Sequence, residues 1–177
     1  IKADLKEYQK WGITWIHDIY RLRLGGILAD DMGLGKTLQT LAFLELLRSR
    51  GELGKCLIIV PTSLTYNWIA ESEKFTPGLT ISRFNSKSKV ETLDFIRKNQ
   101  HSVLVTTYGL LIEHEEFFKE TEWNIHIYDE AQSIKNLSAK RTSAARRIPA
   151  RFKLCLSGTP LENHPGELFS FIHNAFP

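Results

Sequence analysis

Six short apolar runs limit what this chain can fold into. They fall at residues 26–29, 56–60, 80–84, 103–107, 125–128 and 153–156. Runs such as "CLIIV" and "VLV" do not alternate between apolar and polar residues. That is the pattern of strands covered on both faces. Segments of helical character lie between them, at 5–20, 37–50, 66–75 and 90–98, with two more at 138–147 and 166–176. Strand and helix alternating over most of 177 residues predict an α/β domain, a doubly wound and mostly parallel sheet with helices on both faces. A chain of this length is read as a single domain able to bury an ordinary core.

The polar residues after the runs carry more information than the runs. Asp30-Asp31, Pro61-Thr62-Ser63, Thr106-Thr107-Tyr108, Asp129-Glu130 and Ser157-Gly158-Thr159 each follow the carboxyl end of a predicted strand. Ligands of open α/β sheets bind at that edge.

One of these junctions reads "LADDMGLGKT". Its last three residues are those of a phosphate-binding loop, and it follows a strand and opens a leucine-rich helix, which is the context such a loop needs. Gly33 and Gly35 let the backbone approach an anion, and the helix amino terminus adds free N–H groups and a positive dipole end. Lys36 is expected to reach the β- and γ-phosphates and the Thr37 hydroxyl to ligate magnesium. Asp30 stands where the usual pattern has glycine, and the expectation is that it turns the chain in a left-handed conformation. With Leu34 and Leu38, these residues form the candidate ATP-binding set.

Asp129-Glu130 supplies two carboxylates at another strand end. Asp129 is expected to hold magnesium opposite Thr37, and Glu130 to polarise the attacking water, so the pair favours hydrolysis over transfer to another acceptor.

Composition excludes more than it selects. The net charge of +3 says little, but no acidic residue lies between Glu130 and Glu162, a stretch holding Lys135, Lys140, Arg141, Arg146, Arg147, Arg151 and Lys153. Residues 113–122 hold five glutamates against one lysine. Such a basic run reads either as a solvated face or as a phosphate-binding one. Cys56 and Cys155 sit singly in apolar runs without metal spacing and read as buried thiols. Neither a signal peptide nor an apolar run of membrane-spanning length is present, so no membrane partner is expected and the protein reads as intracellular.

Taken together, "LADDMGLGKT", "IIVPTSLTYNW", "TTYGLL", "DEAQSIKN" and "LSGTPLEN" resemble motifs I, Ia, Ib, II and III of superfamily 2 nucleic-acid motors. They are most similar to the Swi/Snf-type ATPases, over essentially the whole chain. The resemblance implies a RecA-like P-loop ATPase lobe, with ATP and Mg2+ as cofactors and the phosphate backbone of double-stranded DNA as partner. It implies that Gln9 reads the adenine edge, and that Ser157, Gly158 and Thr159 couple nucleotide state to nucleic-acid grip. Pro61, Thr62, Ser63, Thr107 and Tyr108 would line the DNA track, with Lys135 and Asn136 beside it. Family members carry a second RecA-like lobe with motifs IV to VI, which this chain lacks, so a nearly inactive isolated lobe is expected. The DEAQ form favours a prokaryotic source and a cytoplasmic, nucleoid-associated location; a eukaryotic source implies a nuclear one. A strand-separating helicase and a nucleotide-gated DNA-binding scaffold remain as alternatives.

Overall fold

The computed structural model describes residues 1–31, 33–131 and 147–158. Six parallel strands form one sheet in the order β1-β6-β5-β2-β4-β3. They are β1 (Gly26–Leu28), β2 (Lys55–Val60), β3 (Ile81–Arg83), β4 (Ser102–Thr107), β5 (Trp123–Tyr128) and β6 (Ala150–Leu156). The helices are α1 (Glu7–Arg21), α2 (Lys36–Ser49), α3 (Thr65–Phe75), α4 (Lys89–Lys98), α5 (Tyr108–Glu113) and α6 (Glu115–Lys119). A single 3-10 turn, Thr62–Leu64, links β2 to α3.

The non-alternating runs follow from two separate cores. Along β2, Cys56, Ile58 and Val60 join one buried cluster while Leu57 and Ile59 join the other. Ile16 of α1, Leu44 and Leu47 of α2 and Trp68 of α3 cover the first face; Ile96 of α4, Leu111 of α5 and Phe118 of α6 cover the second. Side chains on a strand point alternately to the two faces, so a strand with a core on each side favours apolar residues at successive positions. Each large apolar side chain buried there contributes about 1.5–3 kcal/mol.

All six predicted strands are present, with β5 and β6 beginning two and three residues before the predicted 125 and 153. Helices α5 and α6 were not anticipated. The first is started by Thr107, whose Oγ1 accepts the Leu110 N–H at 3.2 Å. The expected helix at 166–176 lies outside the described residues, as does all of 138–147 except Arg147.

Register fixes what meets at the carboxyl edge. Leu28 of β1 is level with Leu156 of β6, and Tyr128 of β5 is level with Cys155. Asp129 follows β5 with its N–H on the Ile59 carbonyl of β2 (2.9 Å), and Ser157 follows β6 with its N–H on Leu28 (3.1 Å). Four strand ends therefore stop together.

Candidate active site and adjoining groove

The loop between β1 and α2 turns through two positive dihedrals, φ 86° at Gly33 and 77° at Gly35. Gly35 is the N-cap of α2, and no side chain accepts a hydrogen bond in capping it. The first-turn N–H groups of α2 remain available to an anion. Lys36 Nζ donates to the carbonyls of Asp30 (2.7 Å) and Asp31 (3.1 Å), which holds it across its own loop. Thr37 and Leu38 are half-buried behind it, and Leu34 is exposed at the tip.

Asp30 corrects one expectation. Among the described residues only Arg23 and Glu130 combine a side chain with a positive φ, so Asp30 makes no left-handed turn. Its carboxylate instead accepts a hydrogen bond from Gln39 Nε2 at 3.0 Å. An acceptor where the pattern has glycine thus fastens the loop to α2.

Gln9 lies against this loop. Its Oε1 accepts the Lys6 N–H (3.0 Å) at the start of α1, and its Nε2 donates to the Leu34 carbonyl (3.3 Å). An amide fixed in this way braces the loop from the α1 side.

The acidic pair stands at the end of β5. Asp129 is buried, its Oδ2 accepting the Trp68 indole N–H (2.8 Å) and its Oδ1 the Glu130 N–H (2.9 Å). Burial pushes its pKa up; the two donors and the Lys36 cation oppose that rise, and the Glu130 charge adds to it. That Lys36 acts on Asp129 places the loop and the acidic pair within electrostatic reach. Glu130 itself has φ 49°, a left-handed conformation that costs a residue with a side chain about 1 kcal/mol or more and concentrates at functional positions.

Tyr108 is a second correction. Its side chain is buried and its hydroxyl donates to the Asp129 carbonyl at 2.8 Å. The phenol is turned inward, into the core, and burial raises its pKa; it braces the acidic pair and offers no hydroxyl to a DNA track.

Beside these residues a groove of about 450 Å³ opens along the ends of β2, β4 and β3. Thr62 and Thr107 line it, while Pro61 is half-buried and Ser63 exposed on the turn before α3. Arg83 and Lys87 also line it, and sequence reasoning missed both. The Arg83 guanidinium lies over the exposed Tyr66 ring, 5.1 Å from its centroid, with Nη1 donating to the Tyr66 hydroxyl at 2.8 Å. The Thr106 hydroxyl oxygen, buried at the groove floor, has no hydrogen-bond partner.

The three described basic residues of the run, Arg147, Arg151 and Lys153, have different surroundings. Arg147 makes a two-pronged ion pair with Glu115 of α6, Nη2 to Oε2 at 2.6 Å, which pulls the Glu115 pKa down to about 2. Lys153 is buried in β6, where desolvation lowers its pKa to about 8. Arg151 lines a cavity with Gly54, Lys55 and Trp123, at the opposite edge of the sheet. Lys135, Asn136 and Thr159 lie outside the described residues. Ser157 is buried and Gly158 half-buried, both next to β1.

Cys56 and Cys155 are buried free thiols, as read from the sequence. Among the described residues no cluster of three metal-ligating side chains occurs, and no helix is long and apolar enough to cross a membrane.

Comparison with known proteins gives this geometry its context. A family model described as the SNF2-related domain matches residues 8–177. The ATP-dependent helicase FUN30 of Saccharomyces cerevisiae is 38% identical over 99% of this chain and 16% of its own length. Helicase domino of Drosophila melanogaster is 37% identical over 100% of this chain and 6% of its own. The DNA excision repair protein ERCC-6-like of Bos taurus is 43% identical over 94% of this chain and 14% of its own. The Sulfolobus solfataricus SWI2/SNF2 ATPase core in complex with double-stranded DNA superposes with a TM-score of 0.84 at 36% identity, over 98% of this chain and 36% of that one. The chain therefore spans well under half the length of each of these relatives, and its sheet and helices have the RecA-like arrangement of that core. The chain belongs to the SNF2-related family of ATPase domains.

Proposed function

We propose that this chain is the ATP-binding lobe of a DNA-dependent ATPase that moves along double-stranded DNA or remodels protein–DNA complexes. The observation that carries the proposal is the convergence of the Lys36 loop, the strained Asp129-Glu130 pair and the cationic groove on one sheet edge.

Magnesium fits the residues present. It is held by one or two carboxylates together with substrate phosphates, so no dedicated cage is needed. Asp129 keeps lone pairs beyond its two accepted bonds, and the Lys36 cation favours its ionised form. Thr37 and Asp129 would hold the ion, which would neutralise charge developing on the phosphates. Lys36 exchanges the Asp30 and Asp31 carbonyls for phosphate oxygens, and the α2 amino terminus binds the same oxygens through N–H groups. Glu130 orients and deprotonates water on the far side of the γ-phosphate. Trp68 and Tyr108 hold Asp129 from its side chain and its carbonyl.

In the groove, Thr62 and Thr107 donate to DNA phosphates and Arg83 and Lys87 supply charge. These contacts fix position without reading sequence. Ser157, Gly158 and Thr159 couple the two sites. In this family, motifs IV to VI of a second lobe carry arginines that complete the ATP site, so the lobe alone should turn over roughly 10³–10⁵ times more slowly than the whole enzyme. The eukaryotic relatives support a nuclear setting and give no support to the prokaryotic one.

The deciding experiment is the ATPase rate of the full-length protein alone and with duplex DNA, single-stranded DNA or RNA, using Glu130→Gln as control. Stimulation by duplex, lost in the variant, supports the reading. Stimulation by single strands or RNA alone replaces it with a strand-separating helicase, and no stimulation replaces it with a DNA-binding scaffold. Replacing Arg83 with Ala should weaken duplex binding and lower the salt dependence by about one released counterion.

A further inference from the structure

Two glutamine amides bear on the phosphate loop, and the family resemblance gives a task to Gln9 alone. Gln39 of α2 is fully buried. Its Nε2 lies 3.0 Å from Asp30 Oδ2 and 3.4 Å from the Leu34 carbonyl, while its Oε1 is buried without any donor. The orientation is nevertheless determined, because the reversed amide would turn its oxygen toward two acceptors.

The unpartnered oxygen faces backbone. It lies over Gly12 of α1, where an added Cβ would come within 2.0 Å of it. Gly12 has an ordinary helical setting within α1 and no positive φ, so the backbone would accept alanine there, but only by displacing the Gln39 amide. Gly35 also lies against a glutamine, with Gln9 Nε2 2.7 Å from a Cβ on residue 35, but there the φ of 77° requires glycine as well. The Leu34 carbonyl accepts from three donors, the Tyr8 hydroxyl and Gln9 Nε2 at 3.3 Å each and Gln39 Nε2 at 3.4 Å.

We propose that Gln39 is a positioning residue for nucleotide binding, and that residue 12 is glycine because the Gln39 amide occupies the place of its side chain. By tying the Asp30 carboxylate and the Leu34 carbonyl to α2, Gln39 holds the loop against the amino terminus of that helix, whose first-turn N–H groups would receive the anion. α1 carries Gln9 and Gly12 one helical turn apart, so base contact and loop shape are adjusted by the same helix. The inference rests on the nucleotide reading of the loop.

The test is a double-mutant cycle on the full-length protein with Gln39→Ala, Gly12→Ala and the pair, read by ATP affinity from calorimetry. Gln39→Met serves as a variant that keeps the packed volume. Each single change should weaken ATP about tenfold, the size of one lost hydrogen bond to a charged group. The pair should be no weaker than either alone, because alanine at 39 makes room for alanine at 12. With Gln39→Met the KM should rise about tenfold while kcat is retained. Amide exchange at Gly33, Leu34 and Gly35 should quicken in all the variants before nucleotide is added. Unchanged affinity and exchange in the single variants overturn the proposal, as does a pair whose effects multiply to about a hundredfold. If the unaltered protein binds no ATP, the nucleotide reading falls; the exchange rates still decide whether Gln39 and Gly12 shape the loop.

Discussion

The sheet has a cavity of about 450 Å³ at each edge, and equal size makes their contents worth comparing. At the amino edge several polar groups bind one another. Asn124 Nδ2 lies within hydrogen-bonding distance of Tyr20 Oη (3.1 Å) and of the carbonyls of Glu52 (3.1 Å) and Leu53 (2.8 Å), while His101 Nδ1 accepts the Gly54 N–H (3.0 Å). At the carboxyl edge a buried threonine hydroxyl lacks a partner, a glutamate holds a left-handed backbone, and a carboxylate is kept in a site that raises its pKa. Volume does not separate the two places. Unspent hydrogen-bonding capacity does, and it costs stability that a bound ligand can recover.

Paired substitutions test that distinction with the largest effects. Trp68→Phe removes the indole donor from Asp129 and raises that carboxyl's pKa further. Stability at neutral pH should fall by about 1.5–3 kcal/mol, and ATP turnover should fall with it. Asn124→Ala removes the donor that closes the amino edge, for a similar loss of about 1–3 kcal/mol, but ATP affinity and turnover of the folded protein should be unchanged. Urea unfolding and ATPase rates on both variants decide the matter; an Asn124→Ala protein that folds but hydrolyses slowly would break the comparison.

A smaller effect is expected between the two edges, at Lys153. Its pKa lies below the unfolded value of 10.5, at about 8, so the unfolded chain binds more protons in that interval and stability rises with pH across it. Lys153→Met should therefore stabilise the protein at neutral pH by about 2 kcal/mol. The gain should shrink above pH 8 and vanish near 10.5, as followed by denaturant midpoints. The buried His126, its pKa held low by desolvation and by the Lys153 charge, should become easier to protonate in the same variant.

The smallest effect concerns Glu130→Gly. In ordinary backbone such a change costs about 1 kcal/mol; at φ 49° the relief of strain should reduce the net cost to below roughly 0.5 kcal/mol, while turnover is lost. A full 1 kcal/mol penalty in thermal unfolding would show that the position is not strained.

The sheet was legible because both of its faces are buried, which favours apolar residues at successive positions of runs like "CLIIV". The phosphate loop and the acidic pair were legible because each joins a strand to a turn within a few residues. What escaped depends on contacts between distant parts of the chain. Trp68 reaches Asp129 across 61 residues, and nothing in "LTYNW" announces it. The acidic segment and the basic run were both visible, but not that Glu115 and Arg147 meet across 32 residues. Tyr108 follows a groove residue in sequence, yet its side chain belongs to the core. Helices α5 and α6, of six and five residues, are too short to leave a readable period. Gln39 alone left a trace, as a polar residue among the leucines of an otherwise apolar helix face.

The two edge strands, β1 and β3, are three residues long, whereas the four between them have six or seven. A strand that short exposes few unpaired N–H and C=O groups, so another chain adding itself alongside would gain little. The sheet is in that sense self-terminating. A domain whose working edge lies at the strand ends can stay open to ligands there without offering its sides as a template for polymerisation.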